Sequence, residues 1–130
     1  MKSLSKVFLF SILITLFTLT TPSTLLAADA LEGKTFVTVL DGENDVLTFQ
    51  DGMFNSSSCE EWGYSPSKYT TTMSGDTLSF EATTTSEKHG GMVWTGTVQG
   101  DTIKGSYLWT KEGWFGTKTK TKSFEGTLKQ

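Results

Sequence analysis

The sequence predicts a small all-β domain, an antiparallel up-and-down barrel of eight strands that follows an N-terminal export signal. Three observations predict it. Apolar and polar residues alternate with period two through the second half of the chain, as an antiparallel sheet with one wet face requires. Turn pairs built on Gly and Asp recur at short intervals. Thr, Gly and aromatic residues are abundant beyond residue 30, and long helical patterns are lacking.

The N-terminus reads first. Met1 to Lys6 is a short basic start, Val7 to Leu19 is a mostly apolar run, and Pro22 breaks it. Leu26-Ala27-Ala28-Asp29-Ala30 supplies small residues for cleavage, which completes the three-part pattern of a secretory signal peptide. The run is shorter than the roughly 20 residues a spanning helix needs. Residues 1–28 are therefore expected to be removed and 29–130 to form the barrel domain, periplasmic or secreted. No cysteine stands at the cleavage point, and no second apolar stretch follows, so the mature chain is not expected to insert in a membrane.

Eight strands follow. The first is Lys34 to Leu40, ended by Asp41-Gly42-Glu43-Asn44-Asp45. The second and third are Val46 to Gln50 and Met53 to Ser57, joined by Asp51-Gly52. A loop from Ser58 to Ser67 leads to the fourth, Lys68 to Met73, and Ser74-Gly75-Asp76 leads to the fifth, Thr77 to Thr85. Glu87 to Gly91 turns into the sixth, Met92 to Gln99, and Gly100-Asp101 into the seventh, Thr102 to Lys111. Glu112 to Lys122 reads as a hairpin loop with an aromatic pair, Trp114-Phe115, before the eighth strand, Ser123 to Lys129. Leu78, Phe80 and Ala82 share one face. So do Trp94, Gly96 and Val98, then Ile103, Gly105, Tyr107 and Trp109, then Phe124, Gly126 and Leu128. Gly-Asp-Thr-Leu at 75–78 and Gly-Asp-Thr-Ile at 100–103 repeat one turn-then-strand unit, which is hairpin geometry and no solenoid. Short connections make sequence neighbours pair, and a meander of eight closes into a barrel, with a two-sheet sandwich as the alternative.

Composition limits the partners. Cleavage after Ala28 leaves nine Lys, no Arg and fourteen acidic residues, a net charge of about −5. Without Arg and with a negative balance, nucleic acid is not expected as a partner, and anionic membrane surfaces are disfavoured for the same reason. Cys59 is the only cysteine, so no internal disulfide can form, and it is expected to be a partly buried free thiol unless it pairs between chains.

No residue set points firmly to catalysis or metal binding. His89, the single histidine, lies in a Lys-His-Gly-Gly turn and reads as solvated. The acidic run at 41–45 is similar to a calcium loop but lacks its Gly and Glu positions, and it reads as an acidic hairpin tip. Glu60 and Glu61 beside Trp62 hint at a glycosidase, whose carboxylates must flank a bond, which adjacent residues rarely do. The aromatics carry more. Trp62, Tyr64 and Trp114 lie in the two longest loops, and Trp94, Tyr107 and Trp109 lie on strands. Strand aromatics are usually core, but if the loops share one end of the barrel, their aromatics, Phe115 included, form a mouth, and Trp62, Tyr64, Trp94, Tyr107, Trp109 and Trp114 are the expected ligand contacts.

Val93-Trp94-Thr95-Gly96-Thr97-Val98, then Gly100-Asp101-Thr102-Ile103, then Gly105 to Trp109, resembles the strand pair of avidin-type barrels, in which a Trp-[Ser/Thr]-Gly strand precedes a strand ending in Trp. The early strands lack the Asn and Ser pattern of a biotin site, so no biotin-binding residue is implied. The opening Leu31 to Phe36 and the closing Phe124 to Lys129 are similar to those of small exported bacterial proteins of unassigned function. The resemblance implies an avidin- or lipocalin-type barrel. The expected function is non-enzymatic binding, without cofactor or metal, of a small, partly apolar ligand in the mouth. A filled barrel acting as a protein-interaction or inhibitor module is the alternative, and a hydrolase is a third. The oligomeric state stays open.

Overall fold

In the computed structural model, which describes residues 30–130, the strands follow one another in chain order. They are β1 (Lys34–Leu40), β2 (Glu43–Gln50), β3 (Met53–Ser56), β4 (Ser67–Ser74), β5 (Thr77–Ser86), β6 (Gly90–Gln99), β7 (Thr102–Gly113) and β8 (Gly116–Leu128). Each pairs antiparallel with the next, and β8 returns to β1, so the sheet closes on itself as an up-and-down barrel. The sandwich alternative is thereby set aside. The signal segment and its cleavage after Ala28 lie outside the described residues.

Tight turns fix the register. Leu40 pairs with Glu43 across Asp41-Gly42, and Gln50 pairs with Met53 across Asp51-Gly52. In both turns the two central residues have positive φ (51° and 82°, then 55° and 72°), the mirror-image geometry whose twist matches paired strands. The two Gly-Asp turns, at 75–76 and 100–101, both put the glycine at φ 59°, the repeated unit read from the sequence.

The expected inward faces are the buried ones. Leu78, Phe80, Ala82, Trp94, Val98, Ile103 and Phe124 are buried, and their neighbours alternate outward. Inside, aromatic rings touch in an unbroken series. Phe36 meets Phe49 edge-on at 6.0 Å, Phe49 meets Phe80 at 5.0 Å, Phe54 meets Trp94 at 5.1 Å, and Trp94 meets Tyr107 at 4.7 Å. Such contacts add about 0.5–1.5 kcal/mol each to the gain from burial. The rings fit because glycines face them. One cross-strand row runs Phe80, Gly96, Gly105, Phe124. A Cβ on Gly105 would stand 2.2 Å from the Thr95 carbonyl oxygen and 2.7 Å from the Phe124 ring, and one on Gly96 would stand 2.6 Å from the Phe80 ring.

Three segments differ from the sequence expectation. β2 begins at Glu43, so the acidic run is a two-residue turn followed by strand. The loop after β3 opens with one helical turn, α1 (Ser57–Glu60). The largest difference is at 112–122, where the expected loop is strand. Gly113 pairs with Gly116 across Trp114-Phe115, and pairing continues without a break to Thr102 and Thr127. β1 reaches only as far as Phe124 on β8, and β6 only as far as Thr110 on β7. The hairpin end therefore stands beyond the barrel as a finger.

Asp45 explains both of the first two differences. It is 2% exposed on β2, and it accepts from Ser56 Oγ (2.6 Å), Ser57 Oγ (3.0 Å), Ser58 N–H (2.9 Å) and its neighbour Val46 N–H (2.8 Å). A carboxylate eleven to thirteen residues away thus supplies the N-terminal acceptor that α1 lacks from its own Ser56.

At the opposite end, Leu31 is fully buried, and the Glu32 carboxylate accepts from the Tyr69 hydroxyl (2.7 Å) and the Gly52 N–H (3.1 Å). The Tyr69 bond holds the Glu32 carboxyl below the usual glutamate range.

Two outcomes follow for stability. Gly105→Ala forces backbone or the Phe124 ring to shift and should cost about 2–3 kcal/mol, as overpacking does. Asp45→Ala strands the Ser56 hydroxyl and the Ser58 N–H and should cost about 3 kcal/mol. Urea denaturation of each variant measures both, and a change below about 0.5 kcal/mol, the level of an ordinary surface substitution, would refute the corresponding account.

Candidate functional site

Antiparallel order decides which connections meet. The Asp41-Gly42 turn, the segment from α1 to β4, the 87–89 turn and the finger all leave the barrel at one end. The two aromatic-bearing connections therefore share a mouth. An open cavity of about 380 Å³ lies there, within the range of about 300–1,000 Å³ common for small-molecule sites. Trp62, Tyr64, His89, Met92, Tyr107, Trp109, Lys120 and Lys122 line it.

One backbone atom organises the wall. The His89 carbonyl oxygen accepts from Trp109 Nε1 at 2.6 Å and from the Tyr64 hydroxyl at 3.0 Å. Side chains from β7 and from the loop after α1 are thus hooked to the same turn. The loop is fastened a second time where Ser86 Oγ donates to the Trp62 carbonyl at 2.8 Å, and the Trp62 ring meets the His89 ring edge-on at 5.2 Å. Gly63 passes so close to Ser86 that a Cβ would stand 3.2 Å from its hydroxyl.

The floor is core. Tyr107 packs on Trp94, which is fully buried and donates from Nε1 to Thr84 Oγ1 at 3.2 Å. Met92 packs beside them, and the buried Cys59 thiol contacts its sulfur at 3.8 Å. Burial raises the Cys59 pKa, which keeps the thiol protonated. The mouth is therefore open above while the body of the barrel beneath it is filled by rings.

The rim is cationic. Tyr107 pairs with Lys122 and Trp109 with Lys120 across β7 and β8, so each lysine stands beside an aromatic ring on the inward face. Lys122 also forms an ion pair with Asp41, which fastens the finger base to the β1–β2 turn.

Of the six aromatics expected as ligand contacts, Trp62, Tyr64, Tyr107 and Trp109 come together at the mouth. Trp94 lies under the floor, and Trp114 lies at the fingertip, fully exposed beside Phe115. Met92, Lys120 and Lys122 complete the lining together with His89, which reads from the sequence as a solvated turn residue but is half-buried with its ring against Trp62. His89 acts through its carbonyl, which no side-chain pattern reveals. The lysines were masked by the loop-like composition of 112–122. Elsewhere the acidic residues disperse. Asp45 is turned inward, Asp41 meets Lys122, and Glu60 accepts from Asn55 Nδ2 at 2.5 Å. A broader depression of about 510 Å³ on the outer wall is bordered by Thr70, Thr72, Thr95 and Thr97. Its hydroxyl-rich border is ordinary wet sheet surface, without the convergent rings of the mouth.

The fold and site together define a closed eight-stranded up-and-down barrel with a solid body and one aromatic, lysine-rimmed mouth. No protein-family model matches the chain, and no curated protein matches its sequence.

The mouth should respond to alkali. Burial raises the pKa of both Tyr64 and Tyr107 above the ordinary value of 10.0. A raised folded-state pKa contributes stability that is fully present below the unfolded value and is lost as pH rises through the folded one. Stability should therefore hold to about pH 10 and fall above it. Tyrosinate absorbance followed against pH in the wild type and in Tyr64→Phe checks this. Removal of Tyr64 should delete a late-titrating component, and an unchanged curve would contradict the buried hydroxyl.

Proposed function

We propose that this is an exported, non-enzymatic binding protein that holds a small, partly apolar molecule in the barrel mouth. The observation that carries the reading is the convergence of four rings, from the loop after α1 and from β7, around one cavity over a rigid aromatic floor. Apolar walls with few polar groups are the usual make-up of a small-ligand site, and eight-stranded barrels of the lipocalin and avidin type hold one ligand in this way. The rings supply the contact area. Lys120 and Lys122 supply the polar end, favouring a ligand that presents an acceptor or an acidic group at the rim. Hydrogen bonds to the His89 carbonyl hold two of the rings in place before a ligand arrives, which lowers the ordering cost of binding.

A second reading, a protein-interaction or inhibitor module, is favoured by a different observation. Rings close the interior below the mouth, while Trp62 at the rim and Trp114 and Phe115 at the fingertip are exposed to a partner.

Native mass spectrometry of the mature protein from an exporting host tests the first reading. The expected result is a small added mass that disappears on denaturation. Titration with an anilinonaphthalene sulfonate dye, which joins an apolar ring system to an anion, should show saturable one-site binding. Trp62→Ala should weaken it about tenfold, the loss of one good aromatic contact. A clean apo mass together with no saturable dye binding would overturn the reading and leave the interaction module.

A further inference from the structure

Trp114 and Phe115 are the most anomalous residues of the described chain. Their exposures are 101% and 106%, so neither ring touches a neighbour enough to lose water contact. Turn geometry does not call for them. Neither has positive φ, and Gly116 takes the φ of 115° instead. Two large rings held in water at the end of a paired hairpin are a cost unless something covers them.

The strands behind the tip have two unlike faces. Cross-strand pairing puts Lys111 opposite Lys118, and Trp109 opposite Lys120, so Lys111, Lys118, Lys120 and Lys122 share one face. The other face pairs Glu112 with Thr117 and Thr110 with Thr119. Residues 111–122 thus hold four lysines against one glutamate, in a chain whose overall charge is −3. Of the four, only Lys122 has a carboxylate partner among the described residues. The tip extends roughly 12 Å past the last pairing with β6, at about 3.4 Å per residue. That exceeds the Debye length of about 8 Å at physiological ionic strength, so the acidic barrel is screened from it.

We propose that the finger docks on an anionic lipid surface, with Trp114 and Phe115 seated among the headgroups and the lysines behind them meeting lipid phosphates. Trp belongs to the set of side chains that favour the membrane–water interface. Each lysine near an anionic leaflet strengthens attachment by about fivefold. Net charge over the whole chain argues against such a surface, but the charge is segregated, and the finger presents only its cationic part. The chain does not cross the bilayer in this arrangement. Aromatic wedge and basic patch strengthen attachment together, through buried apolar area and attraction to anionic lipids. The docking rests on the tip and on Lys111 and Lys118, which do not line the mouth, and is independent of any ligand held there by Lys120 and Lys122.

Vesicle co-sedimentation of the mature protein tests it, with vesicles rich in phosphatidylglycerol set against vesicles of phosphatidylcholine alone. The wild type should sediment with the anionic vesicles and much less with the neutral ones, and raised salt should release it. Trp114→Ser with Phe115→Ser should reduce attachment at least tenfold. Lys111→Glu with Lys118→Glu should do the same, and both pairs lie outside the mouth and the core, so circular dichroism should report unchanged folding. Failure of the wild type to bind anionic vesicles overturns the proposal, as does equal binding by the serine variant. Equal binding to both vesicle types overturns the electrostatic half of it. Light scattering that finds a dimer abolished by the serine variant, with no vesicle binding, would assign the tip to a second copy of the chain instead.

Discussion

Space inside an eight-stranded barrel is the constraint on which this structure depends. The interior of such a barrel is just wide enough to be filled by side chains. This one receives Phe36, Phe49, Phe54, Phe80, Trp94 and Phe124. They fit because β6 and β7 place two glycines side by side under the Phe80 and Phe124 rings. A side chain at either glycine would compete with a ring or with backbone. The glycine pair therefore decides how deep the solid part of the barrel reaches, and hence that the mouth is shallow and rests on a rigid floor.

Above that floor, a few polar contacts turn a set of loops into a wall. Asp45 draws α1 against β2, which sets where the chain enters the segment carrying Trp62 and Tyr64. The His89 carbonyl then ties that segment to β7. The order is hierarchical. Aromatic packing fixes the barrel, a buried carboxylate fixes the loop, and one carbonyl fixes the rings that face the cavity.

Much of the fold was legible in the residues because period-two alternation needs no knowledge of partners. The inward faces of β5 to β8 could be read directly from Leu78-Phe80-Ala82, Trp94-Gly96-Val98, Ile103-Gly105-Tyr107-Trp109 and Phe124-Gly126-Leu128. The finger was hidden for a physical reason. Lys118, Lys120 and Lys122 alternate with threonines, but without an apolar face, so the strand signature is missing, and pairing with β7 supplies the order that local pattern does not. Asp45 was hidden because three carboxylates in five residues look like a solvated tip, and its hydrogen-bond partners lie a full strand away. Four of the six aromatics could be placed at the mouth from chain order alone. That Trp94 would be floor and not wall depended on strand stagger, which a single sequence does not carry.

Unequal strand lengths have one more result. Where β1 stops, residues 116–123 of β8 keep a partner on only one side among the described residues, leaving a row of backbone donors and acceptors open to water. Such a row is a template for adding strands from other molecules. Two copies meeting antiparallel about Lys120 would set Lys118 against Lys122, and like charges directly opposite repel. The same lysines that crowd one face of the finger thus guard its open edge against pairing with a second copy, and neutral residues at those three positions would favour an edge-to-edge dimer.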